Sequence, residues 1–341
     1  MNDTNKPIII WLLSGCFLIF IMVVIGGITR LTNSGLSMVN WNLFIDVVPP
    51  LNHQQWQETF DLYKQYPEYQ IHNYNFTLAK FKSIFFWEYL HRLIGRLLGL
   101  VFIIPFIYFL LKRKLNKTLI LQTSTLLIIG AGQGVIGWWM VKSGLVDNPD
   151  VSHYRLAVHL ITAFLTYAYA FWIVLSLNYR KQNMGDRFFY NLSFALLLAI
   201  IIQIIYGAFV AGLNAGFIFN TWPKMNGEWI HSSVYSMTPM WLNFIEGMGG
   251  VQFVHRILAI VIFGLILFMW GKGRFLQFSG KQSRILSLLI IVAIVQTLLG
   301  IFTLLSSVTI WLALLHQTGA FILLSATVYS LFIFSGKRRI N

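Results

Sequence analysis

Eight apolar runs of bilayer-crossing length leave this chain few folds to choose from. They cover about residues 8–28, 84–111, 119–141, 153–177, 188–212, 249–270, 285–305 and 309–334. A helix needs roughly 20 apolar residues to cross the hydrocarbon core, and a span in lipid must satisfy its own backbone hydrogen bonds. The expectation is an all-α integral membrane protein with eight transmembrane helices. Composition agrees: 57% of the 341 residues are hydrophobic and 11% charged, against about 25% charged in soluble chains.

A net charge of +14 could suggest nucleic acid. The basic residues instead cluster in short connections: Lys112, Arg113, Lys114 and Lys117; Arg180, Lys181 and Arg187; Lys272, Arg274, Lys281 and Arg284; and the tail Lys337 to Arg339. That is the positive-inside pattern, and no nucleic-acid partner is expected. With an even number of spans, both termini face the cytoplasm and the long connections 29–83 and 213–248 lie outside. The first run could be a cleaved signal, but it is long, lacks a cleavage site and continues into a motif, so it reads as a retained helix. The absence of an Arg/Ser-rich transit segment favours a bacterial inner membrane. Cys16 is the one cysteine, so no intramolecular disulfide and no cysteine-built zinc or iron–sulfur site can form.

The two halves of the sequence resemble each other. Gly26-Gly27 through Trp41 aligns with Gly207 through Trp222, pairing Asn33 with Asn214 and Gly35 with Gly216. His91-Arg92 matches His255-Arg256, Gln133-x-x-x-Gly137 matches Gln296-x-x-x-Gly300, and His159 matches His316. Four spans per half make a parallel repeat about an axis along the bilayer normal. The expected organisation is two pseudo-symmetric four-helix bundles, residues 1–180 and 181–341.

Four of the eight histidines fall inside spans: His91, His159, His255 and His316. Each sits about 10 Å inside the outer end of its helix at 1.5 Å per residue. Ionisable side chains at that depth are costly and usually functional. A lone histidine could simply hydrogen-bond to a neighbouring helix, but two per repeat at one level suit a six-coordinate haem held between two helices. Zinc would need further ligands, and none recurs in both halves. The expected metal-ligand pairs are His91 with His159 and His255 with His316.

Arg92 and Arg256 follow two of these histidines and would need anionic partners, for which haem propionates serve; snorkelling outward is the plain alternative. Arg96 lies one turn on. Three residues before the histidine the halves differ: Glu88 in the first, Gln252 in the second. Residues three apart share a helix face, so Glu88 is placed beside the porphyrin bound by His91. It could be an ion-pair partner of Arg92 or Lys82, or it could handle protons or stabilise positive charge on a substrate. Since only the first half has it, a reactive haem is expected there and a permanent electron-transfer haem in the second half. His153 reads as an interfacial surface residue, and His53, His72 and His231 as loop residues. Thr29, Arg30, Thr32 and Asn33 suit helix packing at least as well as substrate contact.

Several strings resemble the haem A synthase family: Gly26 through Met38, Glu88-Tyr-Leu-His91-Arg92, Pro67-Glu68-Tyr69, Gly212 through Gly216, Asn220 through Met225, Val254-His255-Arg256 and Leu315-His316-Gln317. The resemblance runs in order along nearly the whole chain. It implies an oxidoreductase that converts haem O to haem A for cytochrome oxidase. One ring methyl becomes a formyl group through two hydroxylations, the second giving a gem-diol that loses water. It also implies substrate haem O in the first half and haem b in the second, with Glu88, His91 and His159 as catalytic candidates. His255, His316, Arg256 and Arg92 would bind cofactor. Lipid, haem O synthase, oxidase assembly factors and a separate electron donor or acceptor are the expected partners. The chain lacks the outer-loop cysteine pair of one branch and is similar to the proteobacterial and mitochondrial branch.

Two other readings compete. A di-haem b electron-transfer cytochrome would need no chemistry on the porphyrin, but transmembrane transfer favours haems at two depths. A transporter would use broken helices near the midplane, whereas these spans look continuous.

Overall fold

A computed structural model describes residues 5–39, 48–146, 149–179 and 185–336. Trp41, Arg180, Lys181 and the basic tail lie outside the described residues. Among the described residues ten α-helices follow one another: α1 Lys6–Leu31, α2 His53–Tyr63, α3 Pro67–Ile71, α4 Leu78–Leu111, α5 Lys117–Lys142, α6 His153–Asn178, α7 Arg187–Gly212, α8 Met248–Arg274, α9 Gly280–Leu305 and α10 Ile310–Phe334. Eight of them are long and apolar enough to cross a membrane: α1 and α4 to α10.

Local chemistry sets the helix starts. Thr77, Asn116 and Asp186 each accept a hydrogen bond from a first-turn backbone N–H, and Ser279 with Gln282 forms a reciprocal capping box; such caps satisfy donors that helix geometry leaves orphaned. The lateral surface is apolar, with Leu121 at 69% and Ile128 at 72% exposed. In water those faces would be a liability; in lipid they are the ordinary outer surface.

The chain forms two compact units, residues 17–163 and residues 1–16 with 164–341. In the first, α4 starts at Leu78 rather than near residue 84. Lys80 and Lys82 make this turn read as loop, but Phe81, Ile84 and Phe85 are buried against Phe60 and Tyr63 of α2. Phe81 stacks on both aromatic rings with centroids 5.0 Å apart. The extra turns of α4 therefore carry the α2–α3 cap.

In that cap Glu68 is only 5% exposed. The Tyr63 hydroxyl donates to it at 3.0 Å and itself accepts from Asn73 at 2.8 Å. Burial pushes the Glu68 carboxyl up to about 8, opposed by the tyrosine bond and reinforced by the charge of Glu88.

In the second unit, α7 to α10 pack together with the part of α6 from Phe164 onward. Phe164 and Tyr167 meet Phe321, and Ser193 bonds Ser330 across α7 and α10 at 2.9 Å.

Candidate functional site

The aligned strings after α1 and α7 are helix stops. Asn33 and Asn214 hold the same place in the repeat and both adopt left-handed backbone, φ 49° and 56°. Asparagine tolerates that conformation better than most residues. Thr29 donates to Ile25 O at 2.9 Å and faces Trp87 O on α4 at 3.5 Å, while Arg30 donates to Asn33 at 3.3 Å. Of these contacts the one to Trp87 crosses between helices, and the other two lie at the end of α1.

Each intramembrane histidine is seated against a glycine of a neighbouring helix. In the first unit, a Cβ on Gly26 of α1 would lie 3.3 Å from His91 Nε2, and one on Gly137 of α5 would lie 3.2 Å from His159 Cε1. In the second, Gly207 of α7 stands 3.4 Å from His255 Cε1 and Gly300 of α9 stands 2.8 Å from His316 Cε1 by the same measure. The repeated glycines are thus notches that admit imidazole rings between helices, a use of small residues for close approach.

Glutamines orient three of the rings. Gln296 donates to His316 Nδ1 at 3.2 Å and to its carbonyl at 3.0 Å. Gln133, with its amide nitrogen turned to the ring, reaches His159 Nδ1 at 3.0 Å and its carbonyl at 3.3 Å. Gln203 donates to the His255 carbonyl at 3.0 Å and lies 3.3 Å from its Nε2. Gln203 is a residue that the sequence reading missed. Its place in the first repeat belongs to Met22, whose methyl packs toward Gly95. Because only one half has this glutamine, repetition could not point to it.

His255 and His316 face each other with ring centroids 6.4 Å apart and planes at 75°. A metal–imidazole bond is about 2 Å and the ring centre lies roughly 1 Å behind the nitrogen, so two imidazoles that shared one metal ion from opposite sides would have centroids about 6 Å apart. His255 Nδ1 is buried without a hydrogen-bond partner, a costly state unless something else engages it. His91 and His159 lie in the same unit, each set against its own glycine, Gly26 and Gly137. Among the described residues no three His, Cys, Asp or Glu side chains gather as a metal cage. A pair of imidazoles fits a cofactor that brings its own in-plane donors, as haem does.

Around each pair the same frame recurs. Arg92 donates to Met38 O at 2.7 Å and to Glu88 Oε1 at 2.6 Å. Arg256 donates to Phe219 O at 2.7 Å, Thr221 O at 3.0 Å and Gln252 Oε1 at 2.9 Å. Met38 and Phe219 are equivalent in the repeat. Of the two roles open to Glu88, the ion pair with Arg92 is therefore present. Arg256 Nε is buried with no partner, so it retains a donor.

The halves diverge at the other end of the Glu88/Gln252 side chain. Glu88 Oε2 accepts from Ser37 Oγ and Met38 N, both at 2.8 Å. Gln252 Nε2 donates instead to Ala215 O and Ile218 O at 2.8 and 2.6 Å. One loop offers donors to an acceptor-only carboxylate; the other offers carbonyls to an amide.

At the start of α6, His153 is 8% exposed, its ring 4.0 Å from that of Tyr154, so the expectation of a surface residue is corrected. His231 lies against Phe219, centroids 4.3 Å apart and planes tilted by 45°, and accepts from Ser233 N.

These features define a class: an α-helical multi-pass membrane protein with four half-buried histidines inside its spans, two in each unit. Comparison with known proteins narrows it. The COX15-CtaA model, described as a cytochrome oxidase assembly protein, matches residues 9–328. The chain is 54% identical to a Flavobacterium psychrophilum protein named heme A synthase, covering 97% of this chain and 99% of the relative. A heme A synthase of Flavobacterium johnsoniae is 52% identical over 97% and 98%, and one of Nitrosospira multiformis 45% over 95% and 92%. The chain belongs to the COX15-CtaA family.

Proposed function

We propose that this chain is a haem A synthase, a membrane oxidoreductase that converts a ring methyl of haem O to a formyl group. The observation that carries the reading beyond family membership is the Glu88/Gln252 divergence within two otherwise matching His–Arg frames. A pure electron carrier does no chemistry on the porphyrin and has no use for a carboxylate at one site alone. An enzyme needs one site where charge changes on a substrate and one that stays loaded.

We assign His255 and His316 to a resident haem b, and His91 and His159 to substrate haem O. The first bundle, residues 1–180, would be the substrate half and residues 181–341 the haem b half. The resident haem supplies one-electron redox chemistry when bound. The chain's own residues position and polarise. Glu88, one helical turn from His91, holds Arg92 and the Ser37–Met38 loop, and presents negative charge where positive charge develops on the substrate. Arg92 and Arg256 receive propionates at the rim. The gem-diol product of the second hydroxylation loses water to give the formyl group.

The reading includes residence in a bacterial inner membrane with both termini cytoplasmic, delivery of substrate by a haem O synthase, hand-over to cytochrome oxidase assembly factors, and a separate electron carrier. Expression in cells that make haem O, followed by pigment extraction and chromatography, tests it. A formyl-bearing haem lost in Glu88→Ala while haem stays bound supports the enzyme. Unchanged haem O from the wild-type chain, with normal electron transfer, would instead identify a di-haem cytochrome.

A further inference from the structure

The two halves also differ where the loop after α1 or α7 meets the end of α5 or α9. In the second unit Asn220 laces this junction shut: its amide donates to Leu304 O on α9 and to Gly216 O, both at 2.8 Å. In the first repeat Val39 occupies the place of Asn220, Val141 that of Leu304 and Lys142 that of Leu305. Valine has no donor, and beside it a cavity of about 160 Å³ opens, lined by Met38, Val39, Arg92, Trp138, Val141, Lys142 and Leu145.

The lining has a definite chemistry. Five of the seven residues are apolar or aromatic and two are cationic. Arg92 is nearly buried, its side chain 9% exposed. Lys142 is exposed at the end of α5, its ammonium 5.1 Å from the Trp138 ring centre. Small-molecule sites typically measure roughly 300–1,000 Å³, so this space takes one arm of a porphyrin rather than the macrocycle. An apolar slot ending in two cations suits a flexible, carboxylate-tipped side chain of an otherwise apolar ligand.

We infer that this cleft is the lateral entrance of the substrate site, and that Lys142 with Arg92 captures a carboxylate of the incoming porphyrin there. The inference rests on the reading that the first half holds the exchanging haem. Asn220 explains the counterpart: a resident haem is retained behind a laced junction, and an exchanging one needs it open.

The test uses the full-length protein, its resident haem in place, in nanodiscs of zwitterionic phosphatidylcholine. Iron protoporphyrin and its dimethyl ester are titrated in and followed by absorbance. The diacid is expected to bind about tenfold more tightly than the ester, the worth of one charge-assisted contact. Lys142→Ala should erase most of that preference and Lys142→Arg should keep it. Val39→Asn should slow association several-fold with the resident haem spectrum unchanged. Should that variant misfold, the converse Asn220→Val is expected to speed loss of the resident haem.

Equal affinity for acid and ester, or an undiminished preference in Lys142→Ala, overturns the proposal. So does a preference abolished by anionic phosphatidylglycerol, which would make the cleft a lipid-headgroup site. His91→Ala and His159→Ala separate the two layers of argument. If they leave added haem binding intact, the substrate-half reading fails. If they abolish it while the cleft variants are silent, only the entrance fails.

Discussion

Gly300 and His316 are in such close register that a Cβ on the glycine would stand 2.8 Å from the imidazole Cε1. That separation is shorter than real Cβ contacts allow, so Gly300→Ala must push the ring or helix α9 aside. Overpacking costs about 1–3 kcal/mol, and here the first casualty is the ring position that the proposed resident haem requires. The expected outcome is a folded protein whose low-spin haem spectrum is weakened or lost. Gly207→Ala, at 3.4 Å, should be mild by comparison. Optical spectra of the purified variants, scaled to protein content, decide the order; equal spectra for the two would refute it.

Glu88→Gln is not the silent exchange that Gln252 suggests. The amide would keep an acceptor for Arg92 but turn an NH2 toward Met38 N and Ser37, where Glu88 now accepts two bonds at 2.8 Å. Two donors would then face each other in a buried site, a loss of about 1–3 kcal/mol. With the negative charge gone as well, formyl-haem production should fall by about 100-fold or more, while haem content declines far less. Chromatography of extracted pigments measures both. Full activity in this variant would reduce Glu88 to a structural residue.

How much of this was legible beforehand depended on whether a signal was local, repeated or neither. Hydropathy is local, so the spans were readable. The start of α4 was not, because Lys80 and Lys82 mask a turn that is stabilised only by α2. The glycines were visible as a repeat, yet their purpose required knowing that α1 meets α4 and α5 meets α6. The alternative of a Glu88–Arg92 pair could be written down from spacing four apart. That the carboxylate also braces the loop at Met38, fifty residues away, could not. Gln203 and Asn220 occur in one half only, and a comparison of halves rewards what they share.

The α2–α3 cap should loosen as the medium becomes alkaline. Glu68 keeps its proton up to about 8 in the folded cap, against 4.5 for an ordinary glutamate. Between those values the folded state holds a proton that the unfolded chain has released, so stability declines as pH rises. The contribution is complete below about 4.5 and gone above about 8. Tyr63 and Glu88, whose charge reinforces the effect, are the titratable groups beside it. Hydrogen exchange across residues 53–73 should accelerate from pH 6 to about 9, beyond the intrinsic rate increase. Glu68→Gln should flatten that excess. An excess that persists in the variant would assign it to another group.

Gln203→Met copies the first repeat into the second and asks what the glutamine is for. Met22 fills that place and packs toward Gly95, whereas Gln203 grips both the ring and the carbonyl of His255. Partners of this kind fix ligand orientation, and losing one typically costs about 10–100-fold in metal affinity. The methionine side chain is apolar and of similar size, so the helices should pack and the protein should fold. The resident haem should then dissociate faster into an excess of apo-myoglobin, and its electron paramagnetic resonance signal should broaden as the imidazole plane is freed. Met22→Gln is the reciprocal change, expected to slow release of the first-half haem and so to lower turnover by trapping what must leave. If Gln203→Met releases haem no faster than the wild type, the glutamine serves helix packing alone, and the proposed difference in residence between the halves must come from the junction that Asn220 closes.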